Sequence, residues 1–175
     1  MKLEYGKIKG LNGLIFVLRD SKKIEAVYPF MCDKISKAFA VKYLKQKGVI
    51  LTPQKADLSW LGFFLRGKVG LRFDVFNLDG TTDFRKKVYK KLFSTKSGTV
   101  LSYGELSKNS ARAVGSAMKN NPFPLIIPCH RVSSKNGSER YTITCFCKKP
   151  SGCDVKDISA CSKRIKKMVR DYETR

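Results

Sequence analysis

This chain of 175 residues has one histidine, and a cysteine immediately precedes it. The two lie in Pro128-Cys129-His130-Arg131-Val132, just after the apolar run Leu125-Ile126-Ile127, which must be buried. A thiol attacks as its thiolate, and a nearby imidazole or positive field supplies one at neutral pH. Adjacent side chains seldom face one another. Cooperation between Cys129 and His130 therefore calls for a water between them and a carboxylate behind the imidazole.

Charge points to what such a thiol would meet. Lys and Arg number 36 against 14 Asp and Glu, for a net charge of +22. Residues 1–83 carry 15 basic and 8 acidic side chains, residues 84–175 carry 21 and 6, so the excess gathers around the Cys-His pair. Such a field favours a polyanion, because each phosphate neutralised releases condensed counterions. Charge alone would equally suit a basic structural protein. The amino terminus has no long apolar stretch, and no window approaches the ~20 apolar residues of a membrane span. The expectation is a soluble intracellular protein, cytoplasmic or associated with DNA, with no membrane partner. Six cysteines without a secretory signal read as reduced thiols or metal ligands.

The elements that would hold the pair can be placed from periodicity. Residues 3–8, 13–18 and 24–28 alternate as strands between Gly- and charge-rich turns. Residues 33–47 have helical spacing, with Ile35, Phe39, Ala40, Tyr43 and Leu44 on one face. Apolar pieces at Ile50-Leu51 and residues 60–65 complete a small α/β lobe, in which Trp60 and Cys32 read as core packing. Asn77-Leu78-Asp79-Gly80-Thr81-Thr82 is turn-rich and marks a boundary. It divides an amino-terminal α/β domain, 1–78, from a helical carboxy-terminal domain, 83–175. Asp83 should cap a helix over 84–93 with Phe84, Val88 and Leu92 inward and Lys/Arg outward. A brief helix starts at Tyr103, and Asn109 or Ser110 caps another over 111–119, stopped by Asn120-Asn121-Pro122. Helix, tight turn and helix make a helix-turn-helix with an unusually short first member.

The second of these helices reads Ala111-Arg112-Ala113-Val114-Gly115-Ser116-Ala117-Met118-Lys119. Val114, Ala117 and Met118 can pack inward, while Ala111, Gly115 and Ser116 leave a slim outer face able to approach a groove closely. Arg112 stands at the start of the helix, where DNA-reading helices make their contacts. Between this helix and Cys129, Asn121-Pro122-Phe123-Pro124 is stiffened by two prolines. The Asn121 amide could end the helix or hold the backbone around Cys129.

Ser102-Tyr103, the stretch from Arg112 to Met118, Asn121-Pro122 and Pro128-Cys129-His130-Arg131-Val132 together resemble the 6-O-alkylguanine-DNA alkyltransferases, over residues 84–142. The resemblance implies an α/β plus α fold, with a ribonuclease-H-like amino-terminal lobe and a winged-helix-like carboxy-terminal domain. It implies stoichiometric DNA repair: Cys129 accepts an alkyl group irreversibly from the sixth oxygen of a flipped guanine. His130 would deprotonate it through water, Asn121 would order the bend, and Tyr103 would aid nucleotide rotation and protonate the leaving guanine. Arg112 would fill the vacated stack, with Ala113, Gly115, Lys119 and Arg131 also at the DNA. Val132, Met118 and Pro124 would line the guanine pocket, the carbonyls of Cys129 and Val132 holding the base edge. Double-stranded DNA with alkylated guanine would be the partner of a monomer, and no cofactor would be required.

The chain departs from the family in two places. Tyr103 and Arg112 are nine apart, closer than is usual, and the glycine-rich loop after Val132 is missing. Tyr141-Thr142 could stand in for its Tyr-Ser pair. A foreign stretch, 143–162, precedes a helix over 163–173, in which Glu173 falls where the carboxylate supporting the histidine belongs; Asp154 and Asp157 are alternatives. That stretch holds Cys145, Cys147, Cys153 and Cys161, which could bind a structural zinc, form disulfides or stay free. Rival functions are a non-catalytic binder of alkylated DNA, a basic structural protein and a Cys-His hydrolase that turns over.

Overall fold

A computed structural model of the chain describes residues 1–11, 13–30, 37–134 and 158–175. Three strands, β1 (Lys2–Gly6), β2 (Leu14–Arg19) and β3 (Ile24–Phe30), form an antiparallel meander. A two-residue strand, β4 (Gln54–Lys55), joins the free edge of β1 in parallel, giving the order β3-β2-β1-β4. Alternation assigns the two sheet faces to different cores. Leu3, Phe16, Leu18, Ala26 and Phe30 pack with Ala40 and Leu44 of helix α1 (Lys37–Gln46). Ile15, Val17, Ile24 and Val27 join a larger core that also contains Cys129 and Tyr172. The register slips between Leu18 and Arg19, which lets Ile24 and Ala26 serve different cores although both lie at even positions of β3.

The chain then runs through α2 (Ser59–Leu65) and a 3-10 turn (Phe73–Val75) to α3 (Asp83–Phe93). Gly62 of α2 is required by packing: a Cβ there would lie 2.7 Å from both Ile8 Cγ2 and the Tyr172 hydroxyl. Next come β5 (Leu101–Ser102), α4 (Tyr103–Leu106), α5 (Ala111–Lys119), a 3-10 turn (Cys129–Arg131), β6 (Val132–Ser133) and α6 (Ile158–Glu173). β5 and β6 pair in parallel, which brings the start of α4 beside the residues that follow Cys129.

Several expectations shift. Thr82, not Asp83, is the N-cap of α3, its hydroxyl accepting from the Arg85 N–H, and Asp83 becomes the first helical residue. Threonine holds the extended cap conformation, while an acid in the first turn still suits the helix dipole. Tyr89 joins Val88 and Leu92 in the core, and Phe84 is only partly buried. Trp60 packs half-buried at the core's edge, and Ile50 is 77% exposed, so only Leu51 of that apolar pair contributes to packing. The last helix begins at Ile158, five residues before the expected start. Cys32 and Ile35 lie outside the described residues.

The outer strand β3 reaches the residues around the thiol. The Val27 N–H donates to the Pro122 carbonyl at 2.8 Å, and the Asn77 N–H donates to the Ile24 carbonyl at 2.9 Å. The Asn77 amide spans both carboxylate oxygens of Glu25, at 3.1 and 2.8 Å. Phe76, beside that bond, packs on Phe123 with ring centroids 4.8 Å apart.

Candidate active site

Cys129 begins a 3-10 turn at the end of a bend whose own side chains fix it. The Ile127 N–H donates to the Phe123 carbonyl at 2.8 Å, and the Cys129 N–H to the Ile127 carbonyl at 2.7 Å. Asn121 straps the bend from within: Oδ1 accepts from the Phe123 N–H at 2.9 Å and Nδ2 donates to the Ile127 carbonyl at 2.9 Å. Both halves of the amide are used, as a polar group in a buried bend requires. Leu125 has φ = 77°, a left-handed backbone uncommon outside glycine, and it is held there with its side chain buried in the core. Cys129 is itself buried, with Met118, Val132 and Tyr103 in the same apolar cluster.

Glu173, at the end of α6, gathers the next two residues. Its Oε1 lies 2.6 Å from His130 Nε2, and neither side chain is exposed to solvent. Arg131 Nε donates to both carboxylate oxygens, at 3.1 and 3.0 Å, and Nη2 donates to Oε1 at 2.8 Å. The Gly98 N–H adds a longer bond to Oε2, at 3.3 Å. Nη1 of Arg131 donates to the Thr95 carbonyl at 2.7 Å, and Arg170 donates to the His130 carbonyl at 3.1 Å.

Two opposing effects set the protonation here. Burial depresses the His130 pKa more than the Glu173 hydrogen bond and charge raise it, so the imidazole is neutral at neutral pH. Burial works to raise the Glu173 carboxyl, but the hydrogen bonds and charges of His130 and Arg131 prevail and hold it below the usual range. A neutral imidazole beside a carboxylate donates through Nε2 and leaves a lone pair on Nδ1. Nδ1 is buried and makes no hydrogen bond among the described residues. It is the nitrogen available to take a proton from a nucleophile.

The helical pair stands beside this centre. Val114, Ala117 and Met118 of α5 face the core, while Arg112, Ala113, Ser116 and Lys119 are exposed. Among the described residues a Cβ at Gly115 would meet only Tyr103 Cε1, at 3.9 Å, so their packing does not require glycine there. Ser110 occupies the N-cap position of α5, but its side chain makes no capping bond. The four-residue α4 carries a capping box, with Ser102 and Glu105 bonding each other's backbone N–H. Its signal was legible as Ser-x-x-Glu ahead of Leu106.

Arg131 corrects the sequence reading. Expected at the DNA, it is buried, and its guanidinium is spent on Glu173 and Thr95. The planar fork of arginine suits bidentate pairing with a carboxylate, and that pairing draws it inward, away from any phosphate. Pro124 is half-buried in the bend. Tyr141, Thr142, Cys145, Cys147, Cys153, Asp154 and Asp157 lie outside the described residues, as does the side chain of Cys161. Among the described residues no three metal-ligating side chains cluster, and no helix is long and apolar enough to cross a membrane.

Residues 83–150 match the family model described as the 6-O-methylguanine DNA methyltransferase DNA-binding domain. A methylated-DNA–protein-cysteine methyltransferase of Thermococcus sibiricus is 48% identical, over 76% of this chain and 83% of the relative. The Pyrococcus horikoshii protein of the same name is 39% identical, over 78% and 86%. The fold is similar to the O6-methylguanine-DNA methyltransferase of Pyrococcus kodakaraensis, with a TM-score of 0.63 at 24% identity across 98% of each chain. It is also similar to Mycobacterium tuberculosis OGT in complex with DNA, with a TM-score of 0.54 at 25% identity over 79% and 81%.

Proposed function

The chain belongs to the methylated-DNA–protein-cysteine methyltransferase family, and from that premise we propose that Cys129 takes an alkyl group from the sixth oxygen of guanine in DNA, once per molecule. The observation that supports this most is the buried line Arg131–Glu173–His130 beside a buried cysteine. Glu173 holds His130 with Nδ1 open; Nδ1 takes the Cys129 proton through a bridging water, and the thiolate attacks the alkyl carbon. A carbon–sulfur bond forms as the carbon–oxygen bond breaks, and the released electron pair returns to guanine, which takes a proton from the Tyr103 hydroxyl; the imidazolium then gives up its proton to water, and the phenolate takes one back from solvent. The product is a thioether with no route back to thiol. No cofactor is needed, because the leaving group is the restored base.

A stacked guanine cannot present that oxygen to a buried thiol, so the nucleotide must be flipped, at about a few kcal/mol. In this reading α4 and α5 dock in the minor groove of double-stranded DNA. Arg112 fills the emptied stack, and Ala113, Gly115 and Lys119 lie along the groove. Met118, Pro124 and Val132 line the base pocket with Tyr141 and Thr142, while Asn121 holds the bend and Arg131 holds Glu173. The finer architecture assigned by resemblance is a ribonuclease-H-like lobe over 1–78 and a winged-helix-like domain over 83–175. The protein acts inside the cell as a monomer.

Mass spectrometry after incubation with a duplex containing O6-methylguanine tests the reading. One methyl group on Cys129 per molecule is expected, and Cys129→Ala should bind duplex without accepting it. Repeated turnover, or methyl on another cysteine, would overturn it.

A further inference from the structure

Each of the two short helices assigned to DNA docking ends on a carbonyl that receives a donor from α3. At the end of α5 the Asn121 N–H goes to the Met118 carbonyl, at 3.3 Å, instead of to Ala117 as a continuing helix would require. The Ala117 carbonyl is taken by the Tyr89 hydroxyl, at 2.8 Å. In α4 only four residues are helical, and the Ser107 N–H closes the turn on the Tyr103 carbonyl at 3.1 Å. The Glu105 carbonyl accepts from Lys91 Nζ. Both donors sit on α3, two residues apart.

Their surroundings differ in a useful way. Tyr89 is 1% exposed, so it cannot reach a phosphate. Burial, opposed by Arg85 and reinforced by the charge of Cys129, pushes its pKa up to about 12, so the phenol keeps its proton. The phenol shares one buried core with Cys129 and is bonded to α5. Four residues beyond Ala117, Asn121 straps the bend that ends in Cys129. Lys91 is exposed and lines a concave surface with Ser102, Gly104, Ser107 and Lys108. α4 is too short to satisfy its own carbonyls, and the lysine supplies the donor that a longer helix would supply from its next turn.

We propose that α3 sets the register between the DNA-docking helices and the thiol, with Tyr89 and Lys91 as positioning residues at the ends of α5 and α4. This rests on the reading of α4 and α5 as the docking unit. Neither residue touches the alkyl group. Each keeps its helix at the angle at which a base flipped past Arg112 arrives at Cys129.

The test uses the full chain and two single substitutions, Tyr89→Phe and Lys91→Met. Single-turnover rates are measured on an O6-methylguanine duplex and on free O6-benzylguanine, and duplex affinity is measured against salt. Each substitution should slow duplex repair about ten-fold, the effect of one hydrogen bond, and slow the free base less than about two-fold. Lys91→Arg, which restores a donor, should recover most of the duplex rate. Lys91→Met should leave the salt slope unchanged, whereas loss of a phosphate contact would reduce it by about one. Unslowed duplex repair, equal losses on both substrates, or a flattened salt slope would overturn the assignment. If the unsubstituted protein takes no methyl from the duplex, the functional reading fails with it. If it does while the variants match it, only the role of α3 fails.

Discussion

His130 Nε2 and Glu173 Oε1 stand 2.6 Å apart although 43 residues separate them, and neither side chain is exposed to solvent. The same carboxylate accepts from Arg131, so one buried acid orients the imidazole and neutralises a guanidinium at once. Removing its charge should therefore affect both stability and chemistry. Glu173→Gln leaves Arg131 buried without a counter-charge and should cost about 3–5 kcal/mol of unfolding free energy. Alkylation of Cys129 should slow by about two orders of magnitude. Chemical denaturation and single-turnover kinetics measure the two effects; a variant as stable and as fast as the original would contradict the arrangement.

Acid should weaken the fold in two stages. The folded pKa of His130 is depressed, so its contribution is full above the unfolded value of about 6.5 and declines as pH falls below it. That of Glu173 is depressed as well, so its contribution is full above about 4.3 and is lost as pH falls through the folded value. The unfolding midpoint should hold steady above about pH 7 and decline on acidification. A midpoint that rose between about pH 7 and about pH 5 would show that the imidazole is charged in the folded protein.

The alkylation rate should follow the same imidazole. Its acid limb should fall below about pH 6.5, since burial makes protonation of His130 harder. A limb centred above that value would mean that Glu173 outweighs burial.

Asn121→Ala should loosen the bend without touching the thiol. The Phe123 N–H and Ile127 carbonyl lose their partner, which costs about 1–3 kcal/mol. Because the bend serves every substrate, duplex and free-base reactions should slow together. Loss confined to the duplex would instead place Asn121 at the DNA.

Gly115→Leu separates fold from docking. Among the described residues no neighbour comes closer than 3.9 Å to a Cβ there, and leucine favours a helix over glycine by about 1 kcal/mol. The thermal midpoint should hold or rise while duplex affinity falls at least about ten-fold, as bulk blocks the groove. Unchanged affinity would remove α5 from the interface.

Features that depend on near neighbours along the chain were readable from its residues. Alternation places Ile15, Val17, Phe16 and Leu18 on opposite sheet faces, and helical spacing turns Val114, Ala117 and Met118 inward. The Asn121 strap was legible because its partners lie two and six residues away, within reach of one amide. Glu173 could be named only by family resemblance, since nothing local separates it from Asp154 or Asp157. Contacts between distant parts of the chain were not readable in that way. Whether Arg131 reached solvent or folded inward depended on a carboxylate 42 residues distant, and the family resemblance had placed it at the DNA instead. Nothing in the sequence singles out Tyr89, because its acceptor is a backbone carbonyl, and sequence does not mark which carbonyls a helix end leaves open. Pairing at long range is set by how α3, α5 and α6 pack around one core, and only the folded chain brings those groups within hydrogen-bonding distance.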